Sequence, residues 1–176
     1  TRLELHVLEG NLWARYAFTN LDPKTATIDI SKAVSGAKLY IYGGYRRDAQ
    51  DMNSVDHDPV LYRSIINGNR EGKNIKEGLY HCITVAKGAK VELDGFHVIN
   101  GYAAEQATRL YGAGLLVHDD ADVTLNNCFF ENNTAQEGAA IDARNATLTM
   151  NNCVVNNNTN TDPTRPVIFA GNLTMN

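Results

Sequence analysis

The sequence has no run of basic residues, no long apolar stretch and too few cysteines for a disulfide framework, and each absence removes a class of protein. With 16 Lys and Arg against 20 Asp and Glu the net charge is −4. Nowhere do the cations gather into the patch that binds phosphate backbones or anionic bilayers. Nucleic acid and the membrane surface are therefore not expected as main partners. The apolar stretches are strand-length, well short of the ~20 residues a spanning helix needs, so no membrane insertion is expected either. Three cysteines say little about redox compartment. No signal sequence is recognisable, and the last repeat stops half made at Asn176. The expectation is a mature or truncated piece of a longer exported chain, with further coils or domains as partners.

What the sequence does have is one motif repeated. Val91-Glu92-Leu93-Asp94-Gly95-Phe96-His97-Val98-Ile99-Asn100-Gly101 returns as Val123-Thr124-Leu125-Asn126-Asn127-Cys128-Phe129-Phe130-Glu131-Asn132-Asn133. It returns again as Leu148-Thr149-Met150-Asn151-Asn152-Cys153-Val154-Val155-Asn156-Asn157-Asn158, and Leu173-Thr174-Met175-Asn176 begins a fourth copy. From Val91 the steps are 32, 25 and 25 residues. A period in this range means stacked supersecondary units. Inside each copy apolar residues alternate (Val123, Leu125, then Cys128, Phe130), which is the period of a strand. The alternation breaks at Asp94-Gly95, Asn126-Asn127 and Asn151-Asn152, residue types suited to a tight corner.

A third strand precedes each pair, at 83–85, 115–117, 141–143 and 167–169, followed by small turns at 88–90, 120–122 and 145–147. Three strands and three turns in about 25 residues describe one coil of an all-β, single-stranded parallel β-helix. Upstream, Gly36-Ala37-Lys38 aligns with Gly88-Ala89-Lys90 and Ile65-Ile66-Asn67-Gly68 with Val98-Ile99-Asn100-Gly101, so the coils are expected over 36–176. Two insertions leave this frame, at 45–63 and at 102–111. Residues 1–35 do not follow the repeat. Their aromatic stretch, Leu12-Trp13-Ala14-Arg15-Tyr16-Ala17-Phe18, is expected to form an N-terminal cap over the first coil.

Tyr40-Ile41-Tyr42-Gly43-Gly44-Tyr45, Leu93-Asp94-Gly95-Phe96 and Asn127-Cys128-Phe129-Phe130-Glu131-Asn132-Asn133 resemble right-handed parallel β-helix repeats of the pectin-lyase-like superfamily. More narrowly, they resemble large secreted or surface β-helix proteins of Bacteroidetes-type bacteria. Gly138-Ala139-Ala140-Ile141 and Phe129-Phe130-Glu131-Asn132 are similar to repeats of polymorphic outer-membrane proteins. The resemblance implies a right-handed helix in a protein secreted or held at the bacterial cell surface. It spans lyases, hydrolases, adhesins and inert spacers, so it implies fold more than activity.

Asn126, Asn151 and Asn176 recur in one slot with Asp94 a coil earlier, and a column of amides there satisfies polar groups along the stack. Cys128 and Cys153 share another slot and are read as a stack of reduced thiols, with Cys82 unpaired. On the first strand of each coil Ile83, Val85, Leu115, Val117, Ile141, Ala143, Val167 and Phe169 are expected to face inward. Cys82, Thr84, Leu116, His118, Asp142, Arg144 and Ile168 then face outward. Enzymes of the resembling superfamily place several carboxylates, or calcium with a basic residue, on this face. Here it offers only His118, Asp142 and Arg144 as catalytic candidates, short of the paired carboxyl groups that hydrolysis needs.

Asp119, Asp120 and Asp122 supply oxygen ligands for calcium but lack the glycine and distal Glu of a dedicated loop, so an ordinary turn is expected and no cofactor is required. The ligand-binding candidates border the first-strand face: Tyr80 and His81 from one coil with Tyr102, Glu105, Arg109 and Tyr111 from the insertion after it. Tyr rings stack on sugars and Arg bonds carboxylates, so an acidic polysaccharide or host glycan fits this shelf. The expected function is a non-catalytic module with an adhesive, glycan-binding or spacer role. The alternative is a polysaccharide lyase or glycoside hydrolase acting on acidic glycans.

Overall fold

The computed structural model describes residues 2–8, 10–13, 27–30, 37–48, 57–69, 74–104 and 110–176. Strands β1 (Arg2–Leu8) and β2 (Gly10–Trp13) open the stack, and β3 (Ile28–Ile30), β4 (Lys38–Tyr45) and β5 (Ser64–Asn67) form the next coil. Above it lie β6 (Ile83–Val85), β7 (Lys90–Asp94), β8 (Phe96–Ile99) and β9 (Tyr102–Ala103). The following coil has β10 (Leu115–Val117), β11 (Asp122–Asn126), β12 (Phe129–Glu131) and β13 (Thr134–Ala135). The stack continues with β14 (Ile141–Asn151), β15 (Val154–Asn156), β16 (Thr159–Asn160) and β17 (Ile168–Met175). The ladders between these strands are parallel, each strand bonding to its equivalent one coil away. Among the described residues no helix is long and apolar enough to cross a membrane.

In-register pairing turns the sequence repeat into columns. Leu39, Val91, Val123, Leu148 and Leu173 form one inward column, and Ile41, Leu93, Leu125, Met150 and Met175 the next. Ile66, Val98, Phe130 and Val155 face them from the third side. Val91, Val123, Leu125, Leu148 and Phe130 are fully buried, and each such side chain contributes about 1.5–3 kcal/mol through apolar area removed from water.

The corners explain the asparagines. Asn127 (φ 49°), Asn152 (φ 51°), Asn132 (φ 57°) and Asn157 (φ 53°) all adopt the left-handed conformation, and Gly95 (φ 77°) takes the corresponding corner one coil earlier. Asparagine is the residue with a side chain that enters this region most readily. Along the stack, Asn176 Nδ2 donates to Asn151 Oδ1 at 2.8 Å, Asn151 to Asn126 at 2.8 Å, and Asn126 to Glu92 Oε1 at 3.0 Å. A neighbouring ladder runs from Asn152 to Asn127 at 2.7 Å and from Asn127 to Asp94 at 2.9 Å. The expected column is present, but its side chains bond Glu92, while Asp94 terminates the second ladder. A carboxylate only accepts, so it suits the end where amide N–H groups point.

Four expectations change. Parallel pairing begins upstream of residue 36: β1 is in register with β4 (Leu3 with Leu39, Leu5 with Ile41), and β3 is in register with β6. Residues 14–26 and 31–35 of the expected cap, with most of its aromatic stretch, lie outside the described residues. Three successive coils also carry a two-residue strand each, in the β9, β13 and β16 ladder, closing a small corner core of Ala103, Ala113, Ala135 and Ala139. In β17 it is Ile168 that pairs with Ile141 and Phe169 that pairs with Asp142, so Ile168 packs against the core and Phe169 lies on the outer face. Cys82, expected outside, is wholly buried in the core at the corner before β6, where desolvation pushes its thiol up to about 12. The three cysteines are free thiols.

A third amide ladder is the most buried. Asn133, wholly inaccessible, accepts from Gly101 N–H at 2.9 Å through Oδ1, and its Nδ2 donates to Val98 O at 3.1 Å and Asn158 Oδ1 at 3.0 Å. Asn133→Ala therefore leaves two buried backbone groups unpaired, at about 1–3 kcal/mol each. The exposed corner residue Asn152, changed to Ala, is expected to cost less than about 1 kcal/mol. Chemical denaturation of the two variants checks this order.

Candidate functional site

Asp142 and Arg144 stand on the same side of β14, two residues apart, and both point outward from the first-strand face. The corner below them is built by glycines. Gly112 (φ 64°) and Gly138 (φ 59°) are left-handed, and a Cβ on either would lie 3.1 Å from Asp142 Cβ and within 2.9 Å of a main-chain oxygen. These two corners bring Tyr111 and Glu137, joined by a parallel bridge, against Asp142. The His81 ring also sits here, its Nδ1–H donating to Gly112 O at 3.1 Å.

One guanidinium occupies the middle of the arrangement. Arg144 Nε donates to both oxygens of Asp142, at 3.0 and 3.1 Å, and Nη2 reaches Asp142 Oδ2 as well. The same Nη2 donates to Glu137 Oε1 at 2.9 Å. The guanidinium carbon lies 4.0 Å from the centroid of Tyr111 and 5.0 Å from that of Phe169, within cation–π range of both rings. Arg165 Nε approaches Glu137 Oε2 at 3.4 Å, outside hydrogen-bonding geometry. Asp142 is 2% and Glu137 6% exposed. The hydrogen bonds that Arg144 donates to Asp142 hold its guanidinium above the ordinary value, with Glu137 adding to the effect against the opposing cost of burial.

This geometry limits what the expected site residues can do. Both Asp142 oxygens are bonded to Arg144, so Asp142 has no oxygen left in position to take a proton from a substrate or to bind a cation. His118 is exposed at the turn beyond β10, and no hydrogen bond joins its ring to the cluster among the described residues. Asp119 accepts from Asn145 Nδ2 at 2.9 Å and Asp120 pairs with Lys87 at 3.3 Å. Among the described residues no group of three or more His, Cys, Asp or Glu is gathered to hold a metal ion.

The binding shelf is altered as well. Tyr80 is 2% exposed, so its ring packs into the protein and cannot stack on a sugar. Tyr102 pairs with Thr134 in the corner ladder and is half-buried, and Tyr111 has Arg144 against its ring. Glu105 and Arg109 lie outside the described residues. Sequence reasoning placed Arg144 beside Asp142 but missed Glu137, Phe169 and Arg165. The bridge of Tyr111 to Glu137 depends on how two corners stack, and no local pattern announces it.

Replacing Arg144 by Ala strands two buried carboxylates. A fully buried pair broken in this way costs about 3–5 kcal/mol, and the exposure of roughly a third of the arginine side chain lowers the expectation to about 2–3 kcal/mol. Arg144→Lys keeps the charge but loses the planar fork and the ring stacking, and should recover only part of that loss. Thermal and denaturant unfolding measure both.

No curated protein and no solved structure matches the chain significantly. A family model described as a right handed beta helix region matches residues 28–168. The parallel ladders, the corner asparagines and this match together establish that the chain belongs to the right-handed β-helix family.

Proposed function

We propose that the chain is a non-catalytic module of a secreted or surface-exposed bacterial protein, in which the stacked coils form a rigid body that carries an adhesive, glycan-binding or spacer role. One observation carries this reading. Asp142 on the first-strand face and Glu137 at its border are both bound to Arg144 beneath Tyr111 and Phe169, and exposed Asp29 lies three strands from Asp142 in the same column, about 14 Å away and too far to act with it as a carboxyl pair. Acid–base work on a glycosidic bond requires a carboxyl group within reach of the substrate and tuned near the working pH. A clasp of this kind instead ties corner to strand. The resemblance to pectin-lyase-like and Bacteroidetes surface proteins supports the setting, and acidic polysaccharide or host glycan is the partner class that the border residues Tyr102 and Tyr111 suit. The alternative, a lyase or hydrolase of acidic glycans, requires Asp142 or Glu137 to be released from the guanidinium.

Pectin, alginate and glycosaminoglycans incubated with the protein should yield neither reducing ends nor unsaturated products above the buffer control. Binding is read separately on a glycan array, with Tyr102→Ala expected to weaken any signal while leaving the melting curve in place. Turnover that disappears in Asp142→Asn would overturn the non-catalytic reading.

A further inference from the structure

The turn at Asp58–Tyr62, between β4 and β5, is pinned to the coils through an imidazole, and we propose that this contact is a pH-operated latch. Neutral His97 holds the turn at Asp58–Tyr62 against the solenoid, and protonation of His97 lets the turn lift.

His97 belongs to an outward column, with Ile65, Phe129 and Val154 as its in-register neighbours. A residue in that position would normally meet solvent, yet His97 is only 4% exposed. Pro59 of the insertion provides cover. Its carbonyl, which can only accept, takes a hydrogen bond from His97 Nε2–H at 2.9 Å. On the next coil the Phe129 ring stacks on the imidazole, with centroids 4.1 Å apart and planes at 10°.

The turn moves as a unit because its own bonds make it stiff. Asp58 Oδ1 accepts from the amides of Val60 and Leu61, each at 3.0 Å, and Tyr62 N–H donates to Asp58 O at 2.7 Å. Val60 and Leu61 are 64% and 65% exposed, so the tip gains little from apolar burial. The hold is at the base: Pro59 rests on the backbone of Gly44 and Gly95, Asp58 N–H donates to Gly44 O at 2.8 Å, and His97 grips the Pro59 carbonyl.

The charged groups around the ring set the direction. Burial lowers the affinity of His97 for a proton, and Arg63, at the end of the turn, acts the same way. The Pro59 carbonyl and Glu131 on β12 oppose them, and the net direction is downward. Asp58, next to Pro59, has its carboxylate oriented to the tip amides, and β5 contributes the uncharged Ile65 to this column. A histidine whose value is lowered when the turn is closed favours closure above the ordinary value near 6.5. That preference is lost as the pH falls below it toward the lowered value.

Hydrogen exchange tests the latch. Protection of the Asp58 and Tyr62 amides, corrected for intrinsic exchange, should fall several-fold between about pH 7.5 and about pH 5 while amides of β11 and β14 stay protected. His97→Phe retains the ring stack without titrating, and His97→Gln retains a donor for Pro59; both should abolish the response. His57 is the insertion's own imidazole, 4.8 Å from the Tyr45 ring, and His57→Gln should leave the response intact. Protection independent of pH in the wild type, a response that persists in both His97 variants, or one that vanishes in His57→Gln would each overturn the proposal.

Discussion

Parallel hydrogen bonding in fixed register between one coil and the next is the constraint on which the other features rest, because a strand that slips by one residue turns its buried set outward. Fixed register makes a column of every repeat position. Apolar columns close the core, amide columns line the corners, and the outer columns become faces whose chemistry changes from coil to coil. The core alone specifies the register only as far as it alternates. The amide ladders add to it, since Asn126, Asn151 and Asn176 bond only when each sits directly above the last.

The ladders also settle how a solenoid carries so many polar residues without stranding them. In the two corner ladders the amides donate along the stack in one sense, and the chains of donors end at Glu92 and Asp94, which accept and have nothing to donate. The outer first-strand face follows the same logic with charges. Glu137 and Asp142 are nearly inaccessible, and Arg144 supplies donors to both while two aromatic rings cover it. That arrangement makes the cluster a fixed part of the architecture, and it moves the search for binding away from the acidic residues and toward the insertions.

Much of the fold was legible because the repeat is exact where the structure is regular. The steps of 25 residues and the period-two alternation in 123–125, 128–130 and 148–150 gave strands, corners and the asparagine column directly. Legibility failed where alternation failed. Val167, Ile168 and Phe169 are all apolar, so nothing local marks Ile168 as the inward residue, and the pairing with Ile141 decides it. Strands of two residues, such as Thr134–Ala135, are too short to have a period. The insertion at 45–63 gave no hint that Pro59 returns to cover His97, and Tyr80 looks like a surface aromatic yet is 2% exposed. The clasp was half visible: Asp142 and Arg144 are close in sequence, whereas Tyr111, Glu137 and Phe169 reach them only through stacking.

Register is therefore the claim to test most directly. Thr124 and Thr149 face outward from adjacent coils and are directly paired, and neighbouring parallel strands lie about 4.8 Å apart. With Cys82, Cys128 and Cys153 replaced and nitroxide labels placed at positions 124 and 149, the account predicts a strongly broadened electron paramagnetic resonance spectrum. Each singly labelled protein should give a narrow one. A doubly labelled spectrum no broader than the sum of the two single ones would contradict the stacking.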